Sequence, residues 1–182
     1  MILSDQTIAS CLDSGKIQVT PEVDPRDIRP TGIRLHLADE ILIPYEGKTV
    51  DCTSTADDLF QSTTIPAAGF LMKSGMFVLG STVERVKVDR NIVCHLEGRS
   101  TIARLGLMIH CSSGLLDGNH DEPRATTLEL VNLGKFDLLL RSGMPIAEVL
   151  FSELSAPIGQ SSQSQYRGQG KAMPPNLRFK TK

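Results

Sequence analysis

The stretch TTLELVNLGKFDLLLRSGMPIAEVLFSEL, residues 126–154, decides the fold. It holds three short apolar runs, broken at Asn132-Leu133-Gly134 and at Ser142-Gly143, which is the punctuation of an all-β sandwich or barrel. In the first run, strand alternation puts Thr127, Glu129 and Val131 on one face and Leu128 and Leu130 on the other. A carboxylate on a half-buried strand reads either as a solvated residue or as a chemical group, and the local pattern favours neither.

Strand-like runs continue upstream. GFLMKSGMFVLGSTVERVKV (69–88) and NIVCHLEG (91–98) are separated by turn residues, and the second alternates Ile92, Cys94 and Leu96 against polar neighbours. Near the start, SDQTIASCLDSGKI (4–17) predicts a short helix: Ser4 can cap it, Ile8 and Leu12 lie one turn apart, and Gly15 can end it. No repeat of fixed period is present. From Ala156 onward the composition turns to Ser, Gln, Gly and Pro, which cannot bury enough apolar surface to fold alone. The expected organisation is one domain over residues 1–158 and a flexible tail, able to act as a lid, over residues 159–182.

Composition narrows the function. A chain of 182 residues with a net charge of -2 has no broad basic footprint for nucleic acid or an acidic membrane surface, so any anion must be held by a local constellation. The N-terminus has no basic segment leading into a hydrophobic core and no apolar run reaches spanning length, so a cytoplasmic protein is expected. Cys11, Cys52, Cys94 and Cys111 lack metal-type spacing and read as small buried hydrophobes.

The constellation that could hold an anion is EGRSTIARLGL, residues 97–107. Ser100 reads as the N-cap of a short helix running through Ile102, Ala103 and Leu105, whose first N–H groups face outward. Arg99 and the Ser100 and Thr101 hydroxyls add donors, and Arg104 lies one turn after Ser100. By local pattern alone, a capped surface helix with two solvated arginines is the commoner reading. The His95-Leu96-Glu97 triplet matches half of a zinc deaminase signature, but no P-C-x-x-C follows it.

MILSD (1–5), GMFVLGSTVE (75–84), EGRSTIARLGLMIH (97–110), TTLELVN (126–132), SGMPIAEVLFSELSAP (142–157) and QYRGQ (165–169) occur in the order seen in the dCTP deaminase family. This family includes bifunctional dCTP deaminase/dUTPases and shares the trimeric dUTPase fold. The resemblance runs from Met1 to Gln169. It implies an all-β subunit with a few short helices, a dUTPase-like distorted β-barrel or β-clip, assembled as a homotrimer with active sites between subunits. The implied substrate is dCTP, carried with Mg2+ on the triphosphate and deaminated to dUTP without zinc. The alternatives are a dUTP diphosphatase, a bifunctional enzyme, or a non-catalytic nucleotide-binding regulatory protein, with dTTP a candidate inhibitor.

By the same resemblance Glu129 is the general base and acid, Arg104 helps to balance developing negative charge, and Ser100 helps to position the water and the base. Arg99, Thr101, Thr127 and Leu128 correspond to nucleotide-binding positions, and the main chain of Cys111, Ser112 and Ser113 to the cytosine pocket. Asp117 corresponds to a deoxyribose contact, and Tyr166 and Gln169 to the part of the tail that covers the nucleotide. Three places depart from the family pattern. SSGLLDGNHDEPRATTLE (112–129) keeps Asp117 but lacks the usual Pro and aromatic residue, and His120 reads either as filling the lost aromatic's space or, the commoner reading, as a solvated loop residue. Arg34 stands where Asp is typical. Gln165 stands where a triphosphate-binding Lys is usual, and Lys171 is a candidate substitute.

Overall fold

The computed structural model describes residues 1–53, 58–159 and 165–177. The opening helix α1 spans Asp5–Asp13, with the Ser4 hydroxyl accepting the Thr7 N–H and Gly15 in the left-handed region just beyond its end. It buries Ile8 and Cys11. Among the described residues thirteen strands follow: β1 Ile17–Thr20, β2 Ile28–Arg29, β3 Gly32–His36, β4 Glu40–Pro44, β5 Phe60–Thr64, β6 Phe70–Met72, β7 Phe77–Val88, β8 Ile92–Gly98, β9 Leu107–Met108, β10 Leu115–Leu116, β11 Arg124–Asn132, β12 Leu138–Leu140 and β13 Pro145–Glu153. A four-residue helix, α2 Ser100–Ala103, sits between β8 and β9.

Two sheets enclose the core. One runs β5-β4-β7-β11-β9 with β1 added to the far end of β7, the other β10-β8-β13-β3-β2, and β6 pairs with β12 beside them. All of these pairings are antiparallel. The alternation expected from the sequence is present: Leu128 and Leu130 are fully buried beneath β11, as are Ile92, Cys94 and Leu96 beneath β8. Burying each large aliphatic side chain contributes roughly 1.5–3 kcal/mol. This core includes Ile41, Val78, Phe151 and their neighbours.

The first sheet has a second, outer face that decides where the site lies. Leu42 of β4 pairs with Leu79 of β7, which in turn pairs with Glu129 of β11, and Thr127 pairs with Ser81. By strand alternation Glu40, Leu42, Leu79, Thr127 and Glu129 therefore look away from the main core. Leu42, Leu79, Phe60 and Phe77 gather there in a small cluster that is closed by Ala172, from beyond the last strand. Residues 165–177 cross this face as a strap.

β7 links the two sheets. Its Thr82 accepts the Thr126 N–H through Oγ1 where the β7–β11 register shifts, and Glu84 reaches across to β3. There the Glu84 carboxylate accepts the His36 backbone N–H at 2.8 Å and meets His36 Nδ1 at 2.6 Å.

Candidate active site

Glu129 stands on the outer face of β11, with its backbone N–H donating to the Ile109 carbonyl at 3.0 Å. Its Oε2 accepts the Cys111 backbone N–H at 2.8 Å. Among the described residues Oε1 has no partner, so one oxygen is fixed and the other faces outward. The Cys111 thiol is pushed above its ordinary value, first by burial of the sulfur and then by the charge of Glu129. Cys111 itself is exposed, as is Cys52, so the expectation of four buried cysteines holds only for Cys11 and Cys94. Burial pushes the Cys94 thiol up to about 12.

Thr127, two residues before Glu129 on the same face, is engaged by the strap. Its Oγ1 accepts the Gln169 Nε2–H at 2.6 Å and the Met173 N–H at 3.2 Å. The Gln169 carbonyl accepts the Ala125 N–H at 3.2 Å, and Gln169 is buried. Tyr166 Oη accepts the Asn176 N–H at 3.2 Å, and Arg167 pairs with Asp121 at 2.9 Å. Lys171 is held by Glu40 at 3.0 Å. Of the tail over 159–182, residues 160–164 and 178–182 lie outside the described residues.

The cradle differs in detail from its sequence reading. Arg99, in extended backbone, takes the N-cap position, and Ser100 is the first helical residue, so the Ser100 hydroxyl does not cap. The helix ends at Ala103, with Leu105 outside it. Chain direction explains the shift: β8 runs to Gly98, and the turn into the helix is made at the next residue. The Arg99 guanidinium donates through Nη1 to the Pro145 carbonyl at 3.1 Å. Ser100, Thr101 and Arg104 are exposed, and among the described residues their side chains make no hydrogen bond or ion pair. The structure thus joins Glu129 to Cys111, and Thr127 to Gln169, but among the described residues it does not join Ser100 or Arg104 to Glu129.

Two glycines fix α2 relative to β11. A Cβ on Gly106, whose φ is +92°, would collide with the Gly134 backbone, and one on Gly134 would collide with the Leu105 carbonyl. The Leu133 N–H donates to the Gly106 carbonyl at 2.8 Å across this contact.

Ser112, Ser113 and Asp117 are exposed on the loop that follows, and the Gly118 carbonyl accepts the Val88 N–H at 3.0 Å. That contact lies at the opposite end of β7 from Leu79, so Asp117 is remote from Glu129 along the sheet. His120 is half-buried rather than solvated: its Nδ1 is enclosed without a partner among the described residues, and burial followed by the nearby Arg124 charge pulls its pKa down. A cavity of about 410 Å³ adjoins His120, Lys87 and Arg90, and another of about 130 Å³ adjoins Asp27, His36 and Glu84. Glu129 lines neither. Among the described residues no cluster of three or more His, Cys, Asp or Glu is placed to hold a metal ion. No helix among them is long and apolar enough to cross a membrane.

The sequence reading missed Glu40 and Ser62. Neither stands in a recognisable motif, and their role arises only where β4, β5 and the strap converge.

The two-sheet β architecture has a counterpart among solved structures. A solved 2'-deoxycytidine 5'-triphosphate deaminase from Agrobacterium tumefaciens superposes with a TM-score of 0.64 over 82% of this chain, at 14% identity, and this chain spans 47% of that one. The family model described as dCTP deaminase-like matches residues 2–154. A dCTP deaminase of Haloarcula marismortui is 36% identical over 180 residues, covering 93% of this chain and 91% of that protein. A dUMP-forming dCTP deaminase of Halobacterium salinarum is 33% identical over the same shares of each chain. The chain belongs to the dCTP deaminase family and is an enzyme.

Proposed function

We propose that the enzyme hydrolyses the exocyclic amine of dCTP, releasing ammonia and dUTP, with Glu129 as both base and acid. The observation that carries this reading is the carboxylate pinned through Oε2 by the Cys111 N–H, with Oε1 left open on the same face. A water held at Oε1 gives its proton to Glu129 as its oxygen attacks the amine-bearing ring carbon. The same carboxyl then delivers that proton to the departing nitrogen, and as ammonia leaves the proton of the new hydroxyl passes to ring N3, forming the carbonyl of the product. Negative charge builds on the ring during attack, and Arg104 is the cation proposed to balance it.

Ser100 and Arg104 are exposed and, among the described residues, make no contact with Glu129 within the chain, an arrangement that favours a site completed by a second subunit. We therefore read the active assembly as a homotrimer in which one subunit brings Glu129 and a neighbour brings Ser100 and Arg104. Magnesium would arrive on the triphosphate oxygens as part of the substrate. Arg99, Thr101, Tyr166 and Gln169 are the proposed nucleotide contacts, with the strap acting as a lid.

A second reading, formation of dUMP, is favoured by relatives named for that product at 31–35% identity. The test is incubation with dCTP or dUTP and magnesium, with ammonia and pyrophosphate measured separately. Ammonia without pyrophosphate supports the deaminase reading, both together support the dUMP-forming one, and neither refutes both.

A further inference from the structure

We propose that Glu40 is a positioning residue for the reaction: with Ser62 it anchors Lys171 and thereby fixes the strap on the face that carries Glu129. This inference rests on the reading of Glu129 as the reacting carboxylate. The Glu40 Oε1 accepts the Ser62 hydroxyl at 2.6 Å and lies 3.0 Å from Lys171 Nζ. Its side chain is 16% exposed, whereas that of Lys171 is 69% exposed, so the anion is built into the sheet and the cation is brought to it. Burial opposes ionisation of Glu40, but the Ser62 hydroxyl and the Lys171 ammonium outweigh it and hold the carboxyl below its ordinary value.

An exposed ion pair adds little to global stability. Its value here is positional. Gln169 and Met173 fasten the strap to Thr127 on β11, while Ala172 seats between Leu42 and Leu79. Those contacts hold the strap at β11, β7 and the middle of β4, and the Lys171–Glu40 pair adds a polar fixed point at the start of β4, where Ser62 of β5 supports it. With both sides fixed, Gln169 is held beside the strand position two residues from Glu129. In this arrangement Lys171 is engaged by a carboxylate, and so its task differs from that of a free phosphate-binding lysine.

The test uses the full-length enzyme and two readouts, deuterium exchange of residues 165–177 and steady-state ammonia release from dCTP. Glu40→Gln keeps the side-chain shape, and Lys171→Gln changes only an exposed group, so both variants should fold. Each is expected to speed exchange in the strap and to lower kcat/KM by about tenfold to a hundredfold. The double exchange Glu40→Lys with Lys171→Glu is expected to restore most of both. Faster exchange with unchanged kcat/KM would overturn the proposal, as would no change in either readout. Loss of activity in both single variants without rescue by the charge exchange would also overturn it, because Lys171 would then be needed for its own charge. Exchange in the strap does not depend on Glu129, so failure of the anchor is distinguishable from failure of the deaminase reading.

Discussion

The Cys111 backbone N–H meets Glu129 Oε2 at 2.8 Å, so the loop after β9 holds the carboxylate of the neighbouring strand by main chain alone. The contact survives any side chain at position 111 except that of proline, which has no N–H to donate. It also divides the two oxygens, one occupied by protein and the other without a partner among the described residues.

Glu129→Gln keeps the shape and the volume but cannot carry a proton between water and leaving nitrogen. Turnover is expected to fall by about 10²–10⁴-fold or more, with nucleotide binding largely kept. Ammonia release and equilibrium dialysis with dCTP check the two halves. Substantial activity in the pure variant would remove Glu129 from its assigned role.

If Glu129 and Arg104 of one site come from different subunits, two dead variants can repair each other. Glu129→Gln and Arg104→Ala, unfolded together in equal amounts and refolded, should recover about a quarter of wild-type activity, the share of intact sites in randomly mixed trimers. Light scattering should give the trimer mass. No recovery beyond the two parents, from a correctly assembled mixture, would place both residues in one subunit.

Thiol labelling of the native protein should modify Cys52 and Cys111 and spare Cys11 and Cys94 until unfolding. Burial and the Glu129 charge hold the Cys111 thiol up, so its labelling should quicken as pH rises. Bound dCTP should protect it. Mass spectrometry of labelled peptides reads all four positions at once, and equal labelling of Cys94 and Cys52 in the folded protein would contradict the burial.

Acid should loosen the strap. The Glu40 carboxyl is held below its ordinary value of 4.5, so its stabilising contribution is present above that value and is lost as pH falls through the lowered one. Tail proteolysis should therefore accelerate only as pH falls below 4.5, and with added salt, before the sheets unfold. Deleting residues from 165 onward should lower turnover at least tenfold while leaving the oligomer mass unchanged except for the lost segment. Equal turnover would make the strap an ornament of the fold.

The strands were legible because their buried positions repeat every second residue: Leu128 and Leu130, or Ile92, Cys94 and Leu96, carry the signal within a few neighbours. Helix α1 was legible because Ser4 and Gly15 act locally. What escaped the sequence depends on distant closure. Glu40 and Lys171 are 131 positions apart, and no local pattern encodes their meeting. The exposure of Cys111 depends on a loop emerging at the sheet edge. The cap assignment failed by one residue, because a serine can sit at the cap or just inside it, and here the path of β8 decides.

The paired glycines at 106 and 134 bear on how this enzyme can change its chemistry. Because backbone packed on backbone sets the height of α2 over β11, the outward side chains at 100, 101 and 104 take no part in holding the helix in place. The proposed nucleotide contacts at those three positions can therefore be exchanged with little penalty to folding, whereas a methyl group added at either glycine would shift the helix that carries them without altering any of those side chains.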